Sequence, residues 1–117
     1  MRANLSGSNL LRANLEGSNL EGSNLDRANL EGADLSGSNL SEANLTGTNL
    51  ERCYLCQANL SEAKLGGSNL SGSNLSRANL SGAKLVGAKL DRVDLHGANL
   101  SVKELVGRSL LIILLIP

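Results

Sequence analysis

The sequence predicts an all-β coil built from short extended pieces and tight corners, and three observations carry that prediction. Leucine occupies every multiple of five from Leu5 to Leu110, 22 times without interruption. Two residues before each Leu, as far as Ala98, stands Ala, Ser, Thr, Cys or Val, and the residue between is Asn in 14 of the 22 cases. The position two after the Leu is most often Gly.

A five-residue period excludes the common elements. On an α-helix, advancing about 100° per residue, Leu at every fifth position wanders around the axis instead of forming a stripe. A continuous strand alternates with period two, and five is odd. Each repeat therefore holds a short extended piece and a bend. In Ala-Asn-Leu the outer two residues point inward and Asn points out. The next two residues turn the corner, where Gly suits unusual φ values. Repetition winds this unit into a solenoid with Leu and small residues inside.

Ala13-Asn14-Leu15-Glu16-Gly17 and Ala33-Asp34-Leu35-Ser36-Gly37 resemble units of the pentapeptide repeat family, whose consensus is A(D/N)LXX. The resemblance extends over residues 3 to 100. It implies a right-handed quadrilateral β-helix with four repeats per coil, so that residues twenty apart stack in columns. Handedness and four-sidedness belong to the resemblance and not to the periodicity. The chain departs from the family in its uniform central Leu, where many members mix in Phe; it has no Phe at all.

Two segments are expected. Residues 1–100 form the β-helix of about five coils. Its core ladder is Leu5, Leu15, Leu25, Leu35, Leu45, Leu55, Leu65, Leu75, Leu85 and Leu95 together with the interleaved leucines. Residues 101–117 form an apolar C-terminal cap that reads as a short helix. Lys103 and Arg108 there replace the inward small residues, and a dry core does not accept unpaired charge. Ser101 and Glu104 have capping-box spacing, and Val102, Leu105, Val106, Leu110 and Ile113 recur at helical intervals. A strand is the alternative. Leu105 with Leu110, Leu111, Ile112, Ile113, Leu114, Leu115 and Ile116 exceeds what one lid face buries, which predicts a homodimer through this end. The apolar run is too short to span a bilayer.

Composition narrows the function. Formal net charge is zero, so the whole-molecule charge favours neither nucleic acid nor mimicry of it. The charge is nevertheless divided. Residues 1–62 carry eight acids and four arginines, a net of −4, and residues 63–117 carry seven bases and three acids, a net of +4. On a solenoid this is a dipole along the axis. Among the columns, Asn19, Asn39, Asn59, Asn79 and Asn99 form an unbroken outward series beside Ser41, Ser61, Ser81 and Ser101. Stacked amides predict an Asn ladder. Glu31, Glu51 and Asp91 run near Arg12, Arg52 and Arg92, which reads as mutual neutralisation worth little per pair.

No catalytic constellation is present. Cys53 and Cys56 make a CxxC, yet the register turns Cys53 inward and Cys56 outward, and the single His96 lies two coils from Cys56. Tyr54, the sole aromatic, projects outward and reads as a tolerated surface substitution. The sequence thus reads as a non-enzymatic structural or protein-interaction scaffold with no cofactor, metal or small-molecule substrate. Its partner is a protein of unknown identity; nucleic acid and membrane partners are not expected, and the cytoplasm is the default compartment without a signal region. The alternative, implied by resemblance to some family members, is inhibition or protection of DNA gyrase through duplex mimicry. Mimicry needs a continuous negative surface, which the basic second half lacks. A third reading takes the Asn/Ser side as an ice-binding or water-ordering array.

Overall fold

The computed structural model describes residues 2–100. Every repeat in this range folds alike. One outward residue makes a single-residue parallel bridge, and a turn follows. The bridges join residues twenty apart, as in Asn4↔Asn24, Asn44↔Lys64 and Tyr54↔Asn74. Four five-residue repeats therefore close one coil, and the rod has four sides. The first side carries residues 3–5 of each coil, the second 8–10, the third 13–15 and the fourth 18–20, with the same positions recurring every twenty residues.

The corners explain the period. The residue two after each Leu, from Gly7 to Gly97, has φ between +55° and +77°. A positive φ at the third of four turn residues defines a type II turn, and each is closed by the bond such turns require. Ser38 N–H, for example, donates to Leu35 C=O at 3.0 Å. Glycine fills eleven of these left-handed positions, and Arg12, Arg27, Glu42, Arg52, Gln57, Glu62, Arg77 and Arg92 fill the others. A left-handed L-residue costs about 1–2 kcal/mol, so eight repeats accept a penalty that eleven avoid.

The repeat Asn39–Ala43 shows where the backbone donors go. Asn39 N–H reaches back one coil to Ser18 C=O at 2.9 Å, and Leu40 N–H reaches forward to Asn59 C=O at 2.7 Å. Glu42 N–H reaches forward to Ser61 C=O at 2.9 Å, and Ala43 N–H closes the turn onto Leu40 C=O at 3.0 Å. Four of five amides are thus paired by backbone. The fifth, on Ser41, is taken by a side chain described below.

Inside, Leu25, Leu35, Leu45, Leu55, Leu65, Leu75, Leu85 and Leu95 are buried, with Leu30 to Leu90 of the interleaved series. Leu5 and Leu15 are half-buried because the first coil has no neighbour on one side. The inward small residues fill the remaining width. Where they are hydroxylic they bond the carbonyl three residues back: Thr48 Oγ1 donates to Leu45 C=O at 2.8 Å and Ser73 Oγ to Leu70 C=O at 2.6 Å. Ser18 and Ser38 Oγ lack a partner, and the next members of their column are Ala58, Ala78 and Ala98. The expected cap over 101–117, with its dimer contact at Leu105, Leu110, Leu111, Ile112, Ile113, Leu114, Leu115 and Ile116, lies outside the described residues.

Two core substitutions are expected to act in opposite directions. Leu55→Asp places an unpaired charge among stacked leucines and should abolish the cooperative thermal transition. Ser38→Ala removes an unsatisfied buried hydroxyl and should be neutral or stabilising by up to about 1 kcal/mol. Denaturant titration followed by circular dichroism measures both, and destabilisation by Ser38→Ala would mean that the hydroxyl has a partner.

Candidate functional site

The surface is generated by the same repeat as the core. At each corner the amide of the residue just after Leu points outward and finds no backbone acceptor. The outward Asn or Asp supplies one: Asn39 Oδ1 accepts from Ser41 N–H at 3.1 Å, Asn59 Oδ1 from Ser61 N–H at 3.0 Å, and Asp34 Oδ1 from Ser36 N–H at 3.0 Å. These are Asx turns, which Asn and Asp form readily because the short side chain reaches two residues on. They complete the pairing of all five backbone amides in a repeat. Every outward Asn or Asp from Asn4 to Asp94 makes this bond.

The Asn series on the fourth side is placed by bridges from Asn19 through Asn39, Asn59 and Asn79 to Asn99. An amide-to-amide bond is made at one end, where Asn99 Nδ2 donates to Asn79 Oδ1 at 3.3 Å. The oxygens of Asn19, Asn39, Asn59 and Asn79 all face corner amides. Backbone capping is what these residues do, and sequence spacing alone did not reveal it. The caps also turn those oxygens toward the chain, which leaves fewer acceptors for an ordered water layer.

Four outward positions between 4 and 99 are neither Asn nor Asp: Tyr54, Lys64, Lys84 and Lys89. Tyr54 is 54% exposed on the third side, between Asp34 and Asn74. Val86, at a corner of the first side, is 63% exposed, and Leu11 is 43% exposed.

Charged groups are paired sparsely. Arg52 binds Glu31 across one coil, Arg2 lies 3.6 Å from Glu42, and Arg27 lies 3.2 Å from its neighbour Asp26. A shallow hollow of about 300 Å³, lined by Leu11, Arg12, Glu31, Gly32 and Arg52, sits beside the first of these pairs. Exposed pairs of this kind contribute about 0–1 kcal/mol each.

The cysteines are separated in environment. Cys53 is buried, and its thiol donates to Leu30 C=O at 2.7 Å; Cys56 is half-buried at a corner, and the two are not bonded to each other. Among the described residues, no three His, Cys, Asp or Glu side chains gather in a group able to hold a metal. No described helix is long and apolar enough to cross a membrane.

Several known proteins resemble this chain. A family model described as pentapeptide repeats matches residues 1–37, 38–77 and 73–101 in 8 copies. The solved pentapeptide repeat protein Rfr23 of the cyanobacterium Cyanothece 51142 is 40% identical over 75% of this chain and 60% of its own, with a TM-score of 0.74. A pentapeptide repeat protein of the Arabidopsis thaliana thylakoid lumen is 28% identical over 80% of this chain and 65% of its own, with a TM-score of 0.77. HetL of Nostoc sp. strain PCC 7120, involved in regulating heterocyst differentiation, is 33% identical over 81% of this chain and 56% of its own, with a TM-score of 0.53. The chain spans less than two thirds of each of these three proteins. No curated protein is significantly similar to it in sequence.

Three outcomes follow from the site geometry. Asn39→Ala uncaps the Ser41 amide and should cost about 1 kcal/mol, whereas Asn59→Asp keeps the cap and should be nearly silent in the same thermal melts. For Cys53, burial pushes the thiol from 9.0 up to about 12, with amide bonds from Ala33 and Gly32 opposing and Glu31 reinforcing. The folded-state pKa is raised, so the contribution is fully present below the unfolded value of 9.0 and is lost as pH rises toward about 12. Stability should therefore decline above pH 9 less steeply in Cys53→Ala than in the parent chain. A thiol reagent at neutral pH should label Cys56 alone until the rod unfolds.

Proposed function

The chain belongs to the pentapeptide repeat family, and we propose that it is a non-enzymatic scaffold that binds a protein partner on its flat sides. The observation that carries this reading is Tyr54. It gives up the Asx cap that neighbouring outward positions provide, so Cys56 lacks it, and the ring is 54% exposed with acidic Asp34 in the same column. A stacked side offers a rigid surface, and an aromatic ring on a rigid surface supplies contact area at little entropic cost. The inward residues, by contrast, are committed to packing, and among the described residues no buried nucleophile has a base beside it.

Gyrase inhibition by duplex mimicry is the second reading. Against it stand Lys64, Lys84 and Lys89, which interrupt any continuous negative surface on two sides of the rod.

The test uses Tyr54→Asn, which restores the repeat's own residue and with it the missing cap. We expect the variant to melt at or above the parent temperature and to lose the partner that the parent chain captures and that co-purifies with it at fixed stoichiometry. Undiminished capture of that partner by Tyr54→Asn would overturn the assignment. Supercoiling by gyrase should be unchanged by the protein at low micromolar concentration, and inhibition there would favour the mimic.

A further inference from the structure

Three of the four positions that lack an outward Asn or Asp carry lysine, and all three surround one corner. Lys64 and Lys84 stack directly on the first side, and Lys89 stands on the second side at the level of Lys84. Between them run Gly66-Gly67 and Val86-Gly87. One and two coils earlier in the same column, Asn44 Oδ1 accepts from Thr46 N–H at 3.1 Å and Asn24 Oδ1 from Asp26 N–H at 3.0 Å. Replacing Asn by Lys removes that oxygen. The amides of Gly66 and Val86 therefore point outward without an Asx cap, on adjacent coils about 4.8 Å apart.

Among the described residues the corner is accessible, and no ion pair neutralises it. Gly66, Gly67 and Gly87 present bare backbone, and Val86 forms one exposed wall. None of the ion pairs among the described residues involves Lys64, Lys84 or Lys89. The bounding acids are Glu62, whose carboxylate rests against Gly82 on the preceding corner, and Asp91 on the corner after Lys89.

We propose that this corner binds a phosphate-type oxyanion. Two of its oxygens sit between the places that Asx oxygens would hold on these two coils, each accepting from one of the Gly66 and Val86 N–H groups. The other oxygens face the ammonium groups of Lys64, Lys84 and Lys89. A tetrahedral dianion suits this arrangement better than a carboxylate, which brings one charge to three ammonium groups and whose two oxygens would have to serve the amides and the lysines together. Backbone amides that converge on one point favour an anion in the single-turn nests where they are consecutive; here the two amides come from adjacent coils, and the lysines supply the cations at the rim.

Amide-resolved NMR titration with inorganic phosphate at constant ionic strength tests the site. Saturable shifts are expected at Gly66 and Val86, with Asp26 and Thr46 of the same column unmoved. Lys64→Asn/Lys84→Asn restores the caps, should melt at or above the parent temperature, and should abolish the shifts. Lys64→Ala/Lys84→Ala leaves the amides open and should weaken binding about tenfold while the same two amides still respond. Phenyl phosphate should match inorganic phosphate, and dimethyl phosphate, a monoanion, should bind more weakly, which separates a terminal phosphate group from a phosphodiester backbone. The proposal fails if Gly66 and Val86 move no more than Asp26 and Thr46, or if acetate binds with equal affinity. Equal weakening in the Asn and Ala double variants would remove the amides from the site.

Discussion

A left-handed residue in every fifth position is the constraint on which the rod depends. It turns the chain through a corner and lets the next residue close the turn onto the carbonyl of the Leu. It also leaves one amide, on the residue just after Leu, aimed at solvent. The outward Asn answers that amide, so the most frequent polar residue of the repeat is explained by the corner and not by the surface. Glu42 and Arg52 occupy the left-handed slot with φ of 59° and 55°, close to the 65° of Gly47. Backbone pairing to the coils on either side thus holds the conformation against side-chain preference.

This arrangement distributes stability evenly. Backbone pairing joins each coil to its neighbours alone, with ladder bonds of 2.7–3.1 Å repeating across every side, as Leu60 N–H to Asn79 C=O at 2.7 Å and Asn49 N–H to Ala28 C=O at 3.1 Å show. Such arrays behave as a sum of nearest-neighbour terms. The first coil, flanked on one side only, leaves Leu5, Leu10, Leu15 and Leu20 half-buried, while Leu50 and Leu55 at mid-rod are inaccessible. Strength is therefore lower at that end than at mid-rod.

Much of this was legible in the period itself. Leu every fifth residue, with a small residue two before it, fixed what faces inward, and the twenty-residue stacking came with the family resemblance. The role of Asn was not legible, because a column of amides suggests bonds between side chains, and the structure directs them to the corner backbone instead. Nor could spacing foresee Arg2 beside Glu42, forty residues and two coils away, since a long side chain can lean along the axis. Tyr54 and the three lysines were visible as departures, but what they expose became apparent only once the amide beneath each was traced. The unpartnered hydroxyls of Ser18 and Ser38 had no signal in the sequence, because Ser23 and Ser68 occupy equivalent inward positions and are bonded.

Four repeats per coil also give the chain a phase. Loss or gain of a single five-residue unit leaves each corner, core leucine and cap intact, yet rotates everything downstream by one side. Deleting one unit between Asn39 and Lys64 would seat that lysine above Asn39, on the fourth side, while a twenty-residue change would return it to its own column. The rod is thus tolerant of length in its folding and strict about length in its surface. Indels in multiples of five rearrange which groups meet a partner without touching what keeps the protein folded.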